Sequence, residues 1–373
     1  MTAGKLRVVI AGTGMIAELH RRAAVLSGAV VIGVLGSRPE RSHEVAERWG
    51  VEHAFGDLVE VIAARPDVVH ICTPNSFHFA YALELLDAGI HVVCEKPLGL
   101  TAAESMEMDA KAAACGLVAT VPFVYRFHPM VREIRERRLA GELGEIALIH
   151  GSYLQDWMLA PNVGSWRVDP IAGGASRAFA DIGSHWCDLV EWVSGERFSA
   201  VSSAVSILYP ERPSESATAF TGGGSGELGV VTTEDIALAQ FRTESGVLAS
   251  VTVSQVSAGR KNRLWFELDG TRQSAVFDQE NPESAWMGAQ IQSSTIVRDP
   301  SVNRPEARRL SSLPAGHPQG YAHCFEAFVD DTYAAVRGDV RDGLPTFADG
   351  ARAARIVEAV LGSARDAAWK VIA

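Results

Sequence analysis

The sequence predicts an α/β chain in two parts, a doubly wound parallel sheet followed by a large open, mostly antiparallel sheet. Three observations carry this. The first third alternates short β-rich runs with helical patterns, the mark of right-handed βαβ crossovers with helices on both faces of a sheet. A glycine turn, Gly12 and Gly14, joins the first apolar run to the first helical pattern. From Ile146 onward, longer β-like runs succeed one another through short turns such as Thr243–Gly246 and Asp269–Gly270, as antiparallel strands do.

The elements follow in order. Strands are read at Leu6–Gly12, Val30–Ser37, Asp67–Pro74, Ile90–Pro97 and Leu117–Tyr125, and helices near Met15–Leu26, Glu40–Trp49, Asp57–Ala64, Ser76–Ala88 and Thr101–Ala114. After Tyr125 an amphipathic helix runs to about Leu139. Strands are then expected at Ile146–Leu154, Ala200–Leu208, Thr233–Phe241, Gly246–Ser254, Leu264–Leu268 and Ser274–Phe277, with Thr221–Gly229 a glycine-rich loop between strands. The reading divides the chain into a dinucleotide-binding domain, 1–125, and a substrate-binding and oligomerisation domain, 126–373. Its closing helical stretch, 347–373, is free to return to the first domain.

Bulk properties limit the function. A chain of 373 residues is too long for one ordinary core. Its 47% hydrophobic and 21% charged content is that of a folded soluble protein. No apolar run reaches about 18 residues, so a cytoplasmic protein is expected. A net charge of -11 argues against a broad basic face for nucleic acid. Five scattered cysteines without a CxxC pair read as reduced, mostly buried thiols, and no metal site is expected.

Several loops bear chemistry. In "VVIAGTGMIAELH" the glycines let the backbone turn tightly against a pyrophosphate, and the N–H groups of Met15, Ile16 and their neighbours open the helix toward negative charge. "CTPNSFH" ends a later strand with Thr73, Pro74, Asn75 and His78, and "CEKPLGLT" ends the next with Glu95 and Lys96. Together these set cofactor-binding residues along one rim of one sheet. The second strand ends in "VLGSRPER", where Gly36, Ser37 and Arg38 supply no carboxylate for a ribose 2′-hydroxyl. Ser37 and Arg38 suit a 2′-phosphate, so NADP is favoured slightly over NAD.

In "SRAFADIGSHWCDLVEWVSG", Asp181 and His185 stand four apart on one helical face, with Asp188 three further on. Histidine titrates near working pH and a nearby carboxylate can fix its tautomer, which makes the pair a proton-handling group. Tyr125, Arg126, Trp157, Trp166 and Arg167 supply aromatic walls and polar groups for a small ligand, with His317 on a lid-like loop. Arg126 could instead serve an ion pair.

Taken together and in order, "AGTGMIAELH", "TPNSFH", "CEKPLGLT", "VYRFHP" and "FADIGSHWCDLVEW" resemble the glucose-fructose oxidoreductase / inositol dehydrogenase family (Gfo/Idh/MocA), and the likeness runs on to "PTFADGARAARIVEAV". The resemblance implies a Rossmann domain followed by an open-sheet domain that commonly supports homodimers or homotetramers. It also implies Lys96, Asp181 and His185 as the catalytic set. The expected reaction is NAD(P)-dependent oxidation of a secondary hydroxyl on a sugar, glycoside or cyclitol. His185 would be the base, Lys96 the group that orients the hydroxyl, and Asp181 their electrostatic partner. A tightly held cofactor cycling between oxidation and reduction, and a non-catalytic cofactor-binding sensor, are the alternatives.

Overall fold

The structure, a computed structural model, describes residues 4–215 and 224–373. It divides into two compact units, Met1–Pro122 with Phe325–Ala354, and Phe123–Cys324 with Arg355–Ala373. The linear reading set one boundary, at Tyr125, and kept everything after it in one domain. The first unit also takes the stretch 325–354, because a helix that covers a distant sheet carries no local sign of which sheet it covers.

The first unit holds six strands: β1 (Arg7–Ala11), β2 (Val30–Leu35), β3 (His53–Phe55), β4 (Val68–Ile71), β5 (His91–Cys94) and β6 (Ala119–Thr120). They pair in parallel in the order β3-β2-β1-β4-β5-β6. Helices α1 (Met15–Leu26), α2 (Pro39–Trp49), α3 (Leu58–Ala63), α4 (His78–Asp87) and α5 (Ala102–Cys115) supply the crossovers. The order reverses between β1 and β4, and ligands of such sheets bind beyond the carboxyl ends of the strands at that switch. β1 and β4 are almost wholly buried and mostly Val and Ile, with His70 the one polar side chain of β4, as central parallel strands are when helices cover both faces. Sequence reading missed β3, a three-residue edge strand, and gave Leu117–Tyr125 as a strand where only β6 is extended and a 3₁₀ turn, Val124–Phe127, follows.

The second unit begins its helices with α6 (Pro129–Leu139), α7 (Pro170–Gly173) and α8 (Ser184–Ser194). Its strands are β7 (Ile146–Leu154), β8 (Phe198–Ser206), β9 (Glu211–Glu215), β10 (Ser225–Val230), β11 (Ile236–Thr243), β12 (Leu248–Ser254), β13 (Arg263–Gly270), β14 (Ser274–Asp278), β15 (Ser284–Gly288), β16 (Ser293–Val297) and β17 (Lys370–Val371). Nine of them form one sheet in the order β16-β15-β14-β13-β7-β12-β11-β8-β17, antiparallel except for β12 against β7. β9 and β10 pair apart from it, so part of the expected glycine-rich loop is strand, while 221–223 lie outside the described residues. β15 and β16 escaped the sequence reading because Ser, Thr and Gly dilute their alternation.

One face of the nine-stranded sheet is apolar and covered. Trp186, Leu189, Val190 and Val193 of α8 join Phe198, Phe241, Phe266 and Phe277 in a single core, and Phe198 stacks on Phe241 at 4.3 Å. Gly151 of β7 lets the helix come close: a Cβ there would lie 2.2 Å from the Trp265 carbonyl oxygen and 2.5 Å from Trp186 Nε1. That space holds the bond from Trp186 Nε1 to Trp265 O, 3.0 Å. The other face is open. Leu148, Leu238, Leu248 and Trp286 stand exposed on it, beside His150, whose Nε2 lies 3.6 Å from Glu267 Oε2 and 3.5 Å from Asp269 Oδ2.

Two further helices, α9 (Pro305–Leu310) and α10 (Tyr321–Val336), precede α11 (Phe347–Asp366). Among the described residues no helix is long and apolar enough to cross a membrane.

A buried histidine makes the second unit sensitive to acid. His128, the N-cap of α6, is 1% exposed, and burial lowers its pKa from the ordinary 6.5 to about 4. The unfolded chain therefore binds this proton more readily than the folded one. The stabilising difference is complete above 6.5 and is lost as pH falls from there toward 4, at about 1.4 kcal/mol per pH unit. Urea unfolding at pH 7 and pH 5.5 should show a loss of roughly 1 kcal/mol that His128→Phe abolishes. Equal pH dependence in the two proteins would rule it out.

Candidate functional site

In the first unit, β1 ends at Ala11 and α1 starts at Met15. Gly12 has φ +131°, and a Cβ there would lie 2.4 Å from the carbonyl oxygen of Cys72 at the end of β4. Glycine is thus required by two strand ends drawn together, which the bonds Cys72 N to Ala11 O (2.6 Å) and Gly12 N to Leu35 O (2.8 Å) hold in place. Gly14 caps α1 in extended conformation with no side-chain cap bond, and a Cβ on it would meet nothing within 4 Å. The first-turn N–H groups, beginning with exposed Met15 and half-buried Ile16, have open space before them. Fully buried Ala17 packs the helix onto the sheet.

At the end of β2, Gly36 N–H donates to Ser42 Oγ at 2.8 Å, and Ser37 and Arg38 are exposed. Arg38 Nε is 3.8 Å from Glu40 Oε2, both side chains being mostly in solvent. Arg41 escaped the sequence reading although it stands in the quoted "SRPER". Its Nε reaches Thr13 Oγ1 of the glycine turn at 3.4 Å, so two guanidinium groups stand at this strand end.

At the end of β4, the Thr73 hydroxyl is buried without a hydrogen-bond partner, Pro74 is exposed, and Asn75 is buried at the start of a 3₁₀ turn. His78, assigned by sequence to cofactor binding, is fully buried, with Nδ1 2.9 Å from Pro97 O and Nε2 3.1 Å from Thr73 O. Burial lowers its pKa. The neutral ring donates to one of these carbonyls and is walled in by both, so it ties the two loops together and turns no ring nitrogen toward solvent. Beyond β5, Glu95 is buried and accepts the Lys96 N–H on Oε2 at 3.1 Å, while Lys96 is half-buried.

The residues of this unit fit a dinucleotide. A glycine that a Cβ would block, an uncapped helix N-terminus with free space and an orphaned buried hydroxyl all lie at the carboxyl ends of β1 and β4, where a pyrophosphate finds N–H donors.

In the second unit, Phe179–Gly183 form a π-helical turn leading into α8. Buried Glu234 holds that turn, accepting from Ser176 Oγ (2.7 Å), Arg177 N (3.1 Å) and Phe179 N (2.8 Å). Burial raises its pKa. Next to it, Asp235 pairs with Arg177 and Arg212, all buried. The wide turn keeps Asp181 and His185 on one side, and such turns recur at functional sites. Asp181 Oδ2 accepts from buried Gln255 Nε2 at 2.8 Å, and Oδ1 is 3.7 Å from Arg167 Nε. His185 lies edge-on to Phe123 (5.5 Å) and Tyr125 (5.2 Å).

Around the histidine a polar web continues. The hydroxyls of Tyr125 and Tyr153 are 2.5 Å apart, Tyr153 donates to Asn262 Oδ1 (2.8 Å), and Asn262 Nδ2 donates to Tyr125 (3.1 Å). Gln155 Nε2 shares the Asn262 oxygen, and Trp157 Nε1 donates to Gln155 Oε1 at 3.0 Å. Burial pushes the Tyr125 hydroxyl up to about 12, so it stays a donor at working pH. Trp166 and Arg167, both half-buried on a 3₁₀ turn, stack at 4.5 Å.

In the second unit two assignments change. Arg126, read as a substrate contact, is buried and chelates Asp188 through Nε (2.8 Å) and Nη2. Its fork is filled by a carboxylate, which also explains Asp188. His317 is exposed, and it is its carbonyl that matters locally, accepting from Arg298 Nη2 at 2.7 Å. Gln255 and Asn262 were missed: each is a lone amide on or beside a strand, with nothing in its neighbours to mark it.

A six-stranded parallel sheet of this order, with a glycine turn and open strand ends at its switch point, defines a dinucleotide-binding unit. Residues 6–123 match the oxidoreductase family with an NAD-binding Rossmann fold, and 131–276 match the GFO/IDH/MocA C-terminal domain. The chain belongs to the Gfo/Idh/MocA family. It is 34% identical to levoglucosan dehydrogenase of Pseudarthrobacter phenanthrenivorans, over 89% of this chain and 87% of that protein. It is 33% identical to D-glucoside 3-dehydrogenase of Escherichia coli over 54% and 57% of the two chains. Among solved structures, levoglucosan dehydrogenase in complex with NADH and L-sorbose superposes with a TM-score of 0.89 at 31% identity, covering 99% of both chains. An inositol dehydrogenase homolog from Azotobacter vinelandii with NADH and myo-inositol gives 0.83 at 26% identity, covering 99% of this chain and 98% of that one.

Proposed function

We propose that this protein is a cytoplasmic NADP-dependent dehydrogenase, able also to use NAD, that oxidises a secondary hydroxyl of a sugar, glycoside or cyclitol to a ketone. The observation that carries the reading is the setting of Asp181 and His185, four residues apart where the π-helical turn meets α8. The carboxylate is held by Gln255 and Arg167 and the imidazole is walled by Phe123 and Tyr125, in a family whose relatives bear the names levoglucosan dehydrogenase and inositol dehydrogenase homolog.

The nicotinamide, when bound, supplies the hydride acceptor. Gly12, Gly14, Met15, Ile16, Thr73, Pro74, Asn75, Glu95 and Lys96 would hold the dinucleotide. His185 takes the hydroxyl proton; its Nδ1 is buried, so Nε2 is the nitrogen that works. Asp181 steadies the imidazolium that forms. Lys96 donates to the same oxygen and disperses the charge of the developing alkoxide. Trp157, Trp166 and Arg167 offer the stacked face and donors that a polyol ring requires.

The test is a panel of hexoses, glycosides, anhydrosugars and inositols with either cofactor, followed by identification of the product. Net nicotinamide reduction is expected. Turnover without added cofactor would favour a trapped-cofactor oxidoreductase, and binding without turnover would favour a sensor.

The NADP preference rests on Arg38 and Arg41 standing at the end of β2. Arg41→Ala should raise KM for NADP about tenfold, the worth of one charged hydrogen bond, and change KM for NAD much less. A wild-type preference for NAD, or equal efficiencies, overturns it.

The exposed face with Leu148, Leu238, Leu248 and Trp286 is proposed to pack on a second copy of the chain in a homodimer or homotetramer. A stable monomer at micromolar concentration in sedimentation would refute that.

A further inference from the structure

We propose that His20, His70 and Tyr333 are positioning residues for Lys96: a chain of buried hydrogen bonds through them orients Glu95, whose second oxygen fixes the Lys96 peptide. The proposal rests on the reading of Lys96 as a catalytic group and extends it to three residues to which the sequence reading gave no role.

All members belong to the first unit. His20 sits on α1, His70 on β4, Glu95 just after β5 and Tyr333 on α10. Exposure is 0% for His20, His70 and Tyr333 and 7% for Glu95. The links are Tyr333 hydroxyl to His70 Nε2 (2.9 Å), His70 Nδ1 to His20 Nδ1 (2.8 Å), His20 Nε2 to Glu95 Oε1 (3.0 Å) and Lys96 N to Glu95 Oε2 (3.1 Å).

A carboxylate can only accept, so His20 donates from Nε2. Between the two facing Nδ1 atoms one ring donates and the other accepts, and the Tyr333 hydroxyl, which can do either, closes the chain at His70 Nε2. Burial, then the neighbouring His20, push His70 well below its ordinary range, so its ring is neutral. Burial raises the Tyr333 hydroxyl well above its ordinary value, so it keeps its proton. The His20 ring packs edge-on against Phe325, at 73° and 4.6 Å, and stands at 89° to the His70 ring.

The chain has a direction in space. His20 lies on the helix that the glycine turn opens, and the last bond falls on the backbone of Lys96 itself. An apolar core would cost less than four buried polar side chains. The arrangement makes sense if it sets where Lys96 starts its reach.

The test uses the full chain with ¹⁵N-lysine, since only five lysines, Lys5, Lys96, Lys111, Lys261 and Lys370, then report. His20→Phe keeps a ring and removes both nitrogens. Its Lys96 amide should exchange with solvent about tenfold faster or more, and kcat should fall by a similar factor, because a charged hydrogen bond is lost. The other four amides, and KM for cofactor and sugar, should change little. His20→Gln, which has both a donor and an acceptor, should restore most of kcat. An unchanged Lys96 amide with unchanged kcat in His20→Phe overturns the proposal, as does equal damage in the Gln variant. Should His20→Phe fail to fold, Tyr333→Phe removes one hydroxyl. It should shift the ring N–H resonances of His70 and His20 and lower kcat about threefold, and silence in both overturns the proposal. If the wild-type protein oxidises no polyol, the catalytic reading fails while the Lys96 amide still decides whether the chain positions that residue.

Discussion

Replacing His185 with alanine is expected to lower kcat by about 10²–10⁴-fold, the usual cost of removing a general base, while dinucleotide affinity stays within about threefold of wild type. The split follows from where the residue lives. His185 belongs to the second unit, and the Gly12 turn and the loops after β4 and β5 that would hold the dinucleotide belong to the first. Its imidazole also acts only as the proton leaves. Lys96→Met should show the same pattern with a somewhat larger effect on cofactor affinity, because Lys96 adjoins the nucleotide rim. Asp181→Asn should harm kcat by leaving Gln255 Nε2 facing another amide and the imidazolium without its carboxylate. Stopped-flow hydride transfer and fluorescence titration of the reduced cofactor separate the two quantities. Near-normal turnover of His185→Ala across pH would place the proton elsewhere, and the Asp181–His185 assignment would be given up.

What the sequence disclosed depended on the length of the signal. α1 was read at its observed bounds because Ile16, Leu19 and Ala23 repeat at helical spacing behind a glycine turn, and β7 because Ile146–Leu154 is a long β-like run. β3 and β17 are too short to hold a period. β10 is exposed throughout and lacks one. The site split along the same line. The residues proposed for catalysis, Lys96 in "CEKP" and Asp181 and His185 on one turn, stand in local motifs and are marked by their neighbours. Arg126 could not be placed, since its partner Asp188 lies 62 residues away. Gln255, Asn262 and the His20–His70–Glu95 chain likewise exist only through contacts between distant segments. Motifs mark residues whose work is set by the backbone around them, and they pass over those set by packing.

Gly12→Ala is expected to destabilise the first unit by roughly 3 kcal/mol and to abolish measurable dinucleotide binding. Two costs add at this one position. The backbone holds φ +131°, which side chains rarely adopt, and the new methyl would lie 2.4 Å from Cys72 O, 2.7 Å from Cys72 C and 2.9 Å from Cys72 Cβ. None of these is the yielding end of a long side chain. Relief requires β1 and β4 to part, which breaks the Cys72 N to Ala11 O bond just where the sheet reverses its order. Gly14→Ala is the matched control. Its φ of -82° suits any residue and its methyl meets nothing within 4 Å. Stability should therefore stay within about 0.5 kcal/mol, whereas cofactor affinity should fall, because the methyl takes up space in front of the α1 N–H groups. Thermal melts and cofactor titrations of both proteins test the pair. A Gly12→Ala protein that melts within about 2 °C of wild type would mean that the strand ends are not pressed together as described.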